Sequence, residues 1–227
     1  MKNNFIEKIP IIILMCTCCV LILALYPQII CAEIVNGSFE SSPSFDGWVI
    51  SSDPGTTATI LPGTPENPAP EGLYYANLSA FTNSYGPPVG VGISQYIFAS
   101  AGESLMFDYK LYSGLPPCTF GDVGAVVTLS DAGGNIDTVY LGNSSSEVWS
   151  TSSLPSFLTS EYYTVNLFAF AQMVMGGGGG GGGGGSAYSY LYLDNVRLVP
   201  EPSIFILLGI GAISLFAYSW RRRKRTA

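Results

Sequence analysis

No histidine occurs anywhere in the 227 residues. Its absence removes the Ser-His-Asp and Cys-His forms of nucleophilic catalysis, along with the common histidine metal sites. Cysteine is scarce where it would matter. Cys16, Cys18, Cys19 and Cys31 crowd into the N-terminal region, which leaves Cys118 alone in the rest. A single thiol makes no internal disulfide and no cysteine-rich zinc centre. Two uses remain for it, pairing between chains or packing as a partly buried side chain. Cations are missing from the middle of the chain. Lys2 and Lys8 lie at one end and five cations at the other, so residues 33–220 hold only Lys110 and Arg197 against fifteen acids, a formal charge of −13. Such a surface repels nucleic acid and anionic lipid headgroups; it suits divalent cations, neutral sugars or plain solubility. Finally, no sustained helical stripe occurs between the two ends.

Long apolar runs do occur at both ends. Lys2 and Lys8 precede the run Ile9 to Leu25, and Ile30-Cys31-Ala32 offers a cleavage site. That is the layout of a secretory signal peptide over residues 1–32, with an uncleaved anchor as the alternative. Ile30 is too bulky for a lipoprotein signal at Cys31. At the other end stand Val199, Pro200, Glu201, Pro202 and Ser203, an uncharged run over residues 203–220, and then Arg221, Arg222, Arg223, Lys224 and Arg225. Eighteen helical residues reach about 27 Å, enough to span a hydrocarbon core of roughly 30 Å. The cations resist entering the bilayer and stop transfer on the cytoplasmic side. Taken alone, this is a plain membrane anchor formed by one transmembrane helix. The order of the pieces is more specific and resembles the PEP-CTERM sorting tail of bacterial proteins, over residues 199–227. The resemblance implies handling by an exosortase that reads the Pro-Glu-Pro element as a substrate tag. It further implies export across the inner membrane, anchoring by the helix, and delivery to the cell surface or an exopolysaccharide matrix.

Residues 33–198 are enough for one domain with a real core. Strand character falls at Trp48–Ser51, Thr56–Leu61, Leu73–Phe81, Val91–Phe98, Glu103–Tyr112, Ala125–Ser130, Ile136–Leu141, Tyr162–Met175 and Ala187–Val199. Between Ser130 and Ile136, five turn-prone residues predict a hairpin. Many short strands with frequent turns predict an all-β fold, an antiparallel β-sandwich. Ten consecutive glycines, residues 176–185, read as an expanded loop. They lack the Lys-Ser/Thr that a phosphate-binding loop needs.

Two motifs bracket this domain: Asn36-Gly37-Ser38-Phe39-Glu40 followed by Gly47-Trp48, and Tyr192-Leu193-Asp194-Asn195-Val196-Arg197-Leu198. Together they resemble the first and last strands of galactose-binding-like jelly rolls, the fold of many carbohydrate-binding modules. In those modules a structural calcium is held by carboxylates at positions matching Glu40 and Asp194. The chemistry suits Ca²⁺, which takes hard oxygen ligands; the plainer alternative is two solvated carboxylates. No other cofactor is implied. Sugar binding would use exposed rings, for which Tyr74, Tyr75, Tyr85, Tyr96, Tyr112 and Tyr188 are candidates, although each could equally pack in a core.

Catalysis would have to rest on paired carboxylates, as in a glycan hydrolase, and none of the fifteen acids stands in a recognisable catalytic setting. The sequence therefore points to a non-catalytic, exported surface or matrix protein that binds polysaccharide. A purely structural matrix protein is the alternative, and a hydrolase the third.

Overall fold

The computed structural model describes residues 34–41, 44–115, 120–142, 146, 148–157, 159–174 and 186–200. The predicted signal peptide, the glycine tract, Cys118, Glu201, Pro202, Ser203, the apolar run 203–220 and the cluster 221–225 lie outside them. The chain divides into Met1–Cys31 and Ala32–Ala227, and every described residue belongs to the second unit.

Ten strands are described: β1 (Val49–Ser52), β2 (Thr57–Pro62), β3 (Tyr74–Thr82), β4 (Val89–Ala99), β5 (Glu103–Gly114), β6 (Phe120–Asp131), β7 (Ile136–Gly142), β8 (Ser150–Ser153), β9 (Glu161–Val174) and β10 (Ala187–Pro200). They form two five-stranded sheets, in the orders β1-β4-β9-β6-β7 and β2-β3-β10-β5-β8. Every pairing is antiparallel.

Alternation explains why these segments are strands. Side chains in an extended chain point to opposite faces in turn. Along β9, Tyr163, Val165, Leu167, Ala169, Ala171 and Met173 are buried while the residues between them look outward. In β10, Ala187, Ser189, Leu191 and Leu193 turn inward. The face expected from Leu105, Phe107, Tyr109 and Leu111 on β5 does lie against the core. The Ser189 hydroxyl joins the two sheets through that core, donating to the carbonyl of Gly124 on β6 at 2.8 Å. Nine strands match the nine expected runs, with ends displaced by at most five residues. β8 was not expected, because Ser-Thr-Ser-Ser has no apolar alternation; it pairs with β5 from Met106 to Tyr109 at a sheet edge.

Residues Asn36 to Phe39, expected as a first strand, form a turn instead, with Asn36 and Phe39 at φ of 52° and 57°. The turn drives Phe39, fully buried, between the rings of Phe45 and Trp48, at centroid distances of 6.1 and 5.8 Å. Gly37 accepts a hydrogen bond from Val196 N (2.9 Å). A Cβ at Gly37 would overlap the Val196 carbonyl, so only glycine allows this approach. The two motifs at the ends of the domain thus meet side by side. Buried Gln95 fixes the same region, donating to the carbonyls of Val35 and Gly47 and accepting from Val35 N.

Candidate functional site

The two carboxylates singled out from the sequence are brought to one loop, residues 71–74. Glu40 Oε1 accepts from the backbone N–H groups of Leu73 and Tyr74, both at 2.8 Å. Asp194 Oδ2 accepts from Glu71 N (2.8 Å), and its Oδ1 from Asn195 N (2.7 Å). Asn195 sits at φ 53°, where the register between β10 and β5 shifts. Asp194 is fully buried, and burial pushes its carboxyl up to about 7 against the pull of those two N–H donors; Glu71 and Asp108 nearby add to the rise. The pair therefore clamps the loop from two sides. A hard cation between them would take these carboxylates with backbone carbonyls. Among the described residues, no group of three or more Asp, Glu, Cys or His side chains surrounds a common point.

The outer faces of both sheets are aromatic. On the β1-β4-β9-β6-β7 sheet, register sets the outward residues in rows. One row runs Gly92, Phe168, Val126, Tyr140; the next runs Ser94, Asn166, Thr128, Thr138; a third runs Tyr96, Thr164, Ser130, Ile136. Phe98 and Tyr162 pair beyond them. A Cβ at Gly90 would overlap the Phe168 ring, and one at Gly92 would lie 2.8 Å from it. The missing side chains let that ring lie across β4. Tyr96 and Tyr162 stack with centroids 5.0 Å apart and planes 6° from parallel, while remaining 67% and 51% exposed. Asn166 Nδ2 donates to Thr128 Oγ1 (3.2 Å) within the polar row. A strip of amide and hydroxyl groups thus lies between two aromatic bands, and these rows contain no charged side chain.

The β2-β3-β10-β5-β8 sheet presents tyrosines. Tyr188, Tyr190 and Tyr192 alternate along β10, with Tyr112 opposite Tyr190 on β5. Tyr112 and Tyr188 stack at 5.6 Å, and Tyr192 meets Tyr75, which meets Trp149, at 5.7 and 5.6 Å. Lys110 Nζ lies 6.0 Å from the Tyr192 ring centroid and donates to Asn67 Oδ1 at 3.1 Å. Arg197 approaches Asp108 Oδ2 at 4.0 Å. Of the six tyrosines expected as platform members, Tyr112 and Tyr188 fall on this face and Tyr96 on the other, whereas Tyr75, also turned to this side, is buried against Trp149 and Tyr192 and is no exposed platform. Tyr85 is exposed in the β3–β4 connection, and Tyr74 opens β3 beside Glu40. Tyr140, Tyr162, Tyr190 and Tyr192 escaped that choice; period-two spacing along β9 and β10 is the signal that marks Tyr162, Tyr190 and Tyr192.

Residues 198–224 match the PEP-CTERM protein-sorting motif. No protein of curated function matches the chain by sequence. Among solved structures, TmCBM61 in complex with β-1,4-galactotriose is similar at TM-score 0.51 and 17% identity, over 75% of this chain and 99% of that one. The enzymatically active domain of bacteriophage CBA120 tailspike protein 4 matches at TM-score 0.47 and 14% identity, over 74% of this chain and 21% of that one. The CBM22-1 xylan-binding domain of Xyn10C from Paenibacillus barcinonensis matches at 0.36 and 15%, over 74% and 94%. At the identity of the first, the likeness establishes the fold, an antiparallel two-sheet sandwich of jelly-roll type.

The buried Asp194 carboxyl gives a pH signature. Unfolded, it releases its proton near 3.9, whereas folded it holds the proton up to about 7. Its stabilising contribution is therefore complete below about pH 4 and is lost as pH rises towards 7. Differential scanning calorimetry from pH 4 to 8 should show Asp194→Asn with a lower but flatter midpoint curve than the wild type. Parallel curves would exclude a buried proton at this site.

Proposed function

We propose that this is a non-catalytic, exported protein whose sandwich binds polysaccharide on the outer face of the β1-β4-β9-β6-β7 sheet. The polar row Ser94, Asn166, Thr128 and Thr138 between two aromatic bands is the observation that carries this reading. A pyranose ring has an apolar face, which packs on an aromatic ring, and hydroxyl edges, which pair with amides and hydroxyls. The absence of charge in these rows fits a neutral sugar. A carboxylate hydrolase finds less support. Asp194 has the raised proton affinity expected of a general acid, but it is fully buried beneath the Glu71 backbone and out of reach of a glycosidic oxygen. A purely structural matrix role would leave the exposed Tyr96–Tyr162 stack without a use.

Handling follows from the motif at residues 198–224. On this reading an exosortase recognises Val199, Pro200, Glu201, Pro202 and Ser203. The apolar run 203–220 and the cations at 221–225 hold the chain in the inner membrane, and processing then passes it to the cell surface or extracellular matrix. We also propose that Ca²⁺ occupies the clamp at Glu40 and Asp194. There it would hold Asp194 ionised and tie the 71–74 loop to β10.

Isothermal titration with β-1,4-galactan, chosen from the ligand of the TmCBM61 complex, and a polysaccharide array test the first proposal. Tyr96→Ala and Tyr162→Ala should each weaken binding about tenfold, the loss of one ring contact. Failure of every glycan to bind would end the proposal. For calcium, a melting midpoint that does not move between millimolar Ca²⁺ and chelator would remove the ion. For sorting, intact mass from the native host should show loss of the tail only when the exosortase is present; a full-length membrane chain in both strains would leave an ordinary anchor.

A further inference from the structure

Both cations of residues 33–220 lie at the face the proposed site does not use. Lys110 is on its surface beside Tyr192, and Arg197 lies at its β10 end against Asp108. Across the β2-β3-β10-β5 strands one row reads Thr59, Asn77, Tyr192, Lys110 and the next Thr57, Ser79, Tyr190, Tyr112. In both rows polar side chains on β2 and β3 stand beside a tyrosine ring on β10. The hydroxyl, amide and ammonium groups of these rows need hydrogen-bonding partners from whatever covers them. A sugar hydroxyl both donates and accepts, so it answers each of them, whereas an apolar partner surface would answer none.

We infer that this tyrosine face is a second glycan-binding surface, so that one chain bridges two polysaccharide strands. The inference rests on the reading of the first face. In a sandwich the sheets stack about 10 Å apart with their outer faces directed oppositely. One short polymer segment cannot lie on both, and two occupied faces therefore mean two segments. Tyr188, Tyr190 and Tyr112 supply the ring surface, and Lys110 supplies the charged donor. The protein would then act as a cross-link in the matrix.

The test uses the full-length chain, one copy per lipid nanodisc, and the host's own exopolysaccharide in two preparations. One preparation is biotinylated on a surface and the other is fluorescent in solution. The wild type should bind the surface and hold the fluorescent polymer on it. Tyr190→Ala and, as a smaller change at a half-buried side chain, Lys110→Gln should keep surface binding. Both should lose at least tenfold in retained fluorescence, with unchanged circular dichroism. Tyr96→Ala with Tyr162→Ala should also lose bridging. Surface binding without bridging in the wild type would overturn the second site and leave the first. Bridging that survives loss of either face would overturn it as well. So would a wild type that sediments as a dimer and becomes monomeric in Tyr190→Ala, since the occupant would then be a second copy. Failure of the wild type to bind the surface at all would remove the reading of the first face, and this inference with it.

Discussion

Everything in the sandwich depends on the alternation of two strands, β9 and β10. Each is fourteen residues long and occupies the centre of its sheet, with β4 and β6 flanking one and β3 and β5 the other. Their inward residues form the middle of the core, and their outward residues form the middle of both aromatic faces. A shift of one residue in either would exchange the two sets. Core and candidate surfaces are therefore fixed by a single register choice. The cross-sheet bond from Ser189 to the Gly124 carbonyl opposes a two-residue slip, which would keep that hydroxyl buried but move it off its partner.

Much of this was legible in the residues. Nine strands followed from short apolar alternations bounded by glycine, proline and asparagine. The turn from Asp131 to Asn135 formed as expected, with Asn135 donating to the Asp131 carboxylate from its backbone and from its side chain. The relation between the two end motifs was legible as a resemblance, and the contact of Gly37 with Val196 gives it a physical cause. Three things were not legible. β8 has no hydrophobic signature and exists through its ladder with β5. The burial of Asp194 depends on the 71–74 loop, more than a hundred residues away, folding over it. The division of tyrosines between two faces needs the strand order, which spacing within one strand does not carry.

Two exposed aromatic faces on one small domain would ordinarily promote self-association. Net charge works against it here. Many acids stand in turns and at strand ends, among them Asp53, Glu66, Glu71, Asp131 and Glu161, outside the outward rows. Like charge on two copies opposes their contact, whereas the same field does not repel a neutral polymer. The missing side chains of Gly90 and Gly92 leave the room that the Phe168 ring takes.

The position of β10 also bears on the order in which the molecule can assemble. A chain that emerges N-terminus first presents β3 and β5 long before the strand that must lie between them. Until residue 200 arrives, those two strands keep unpaired edges, and the inner face of their sheet lacks its centre. The longest-range pairings in the fold close last, which makes folding slow by topology. The last strand ends at Pro200, inside the matched sorting motif that begins at residue 198. The sandwich is thus complete as the first residues of the matched motif emerge, with most of that motif still to follow.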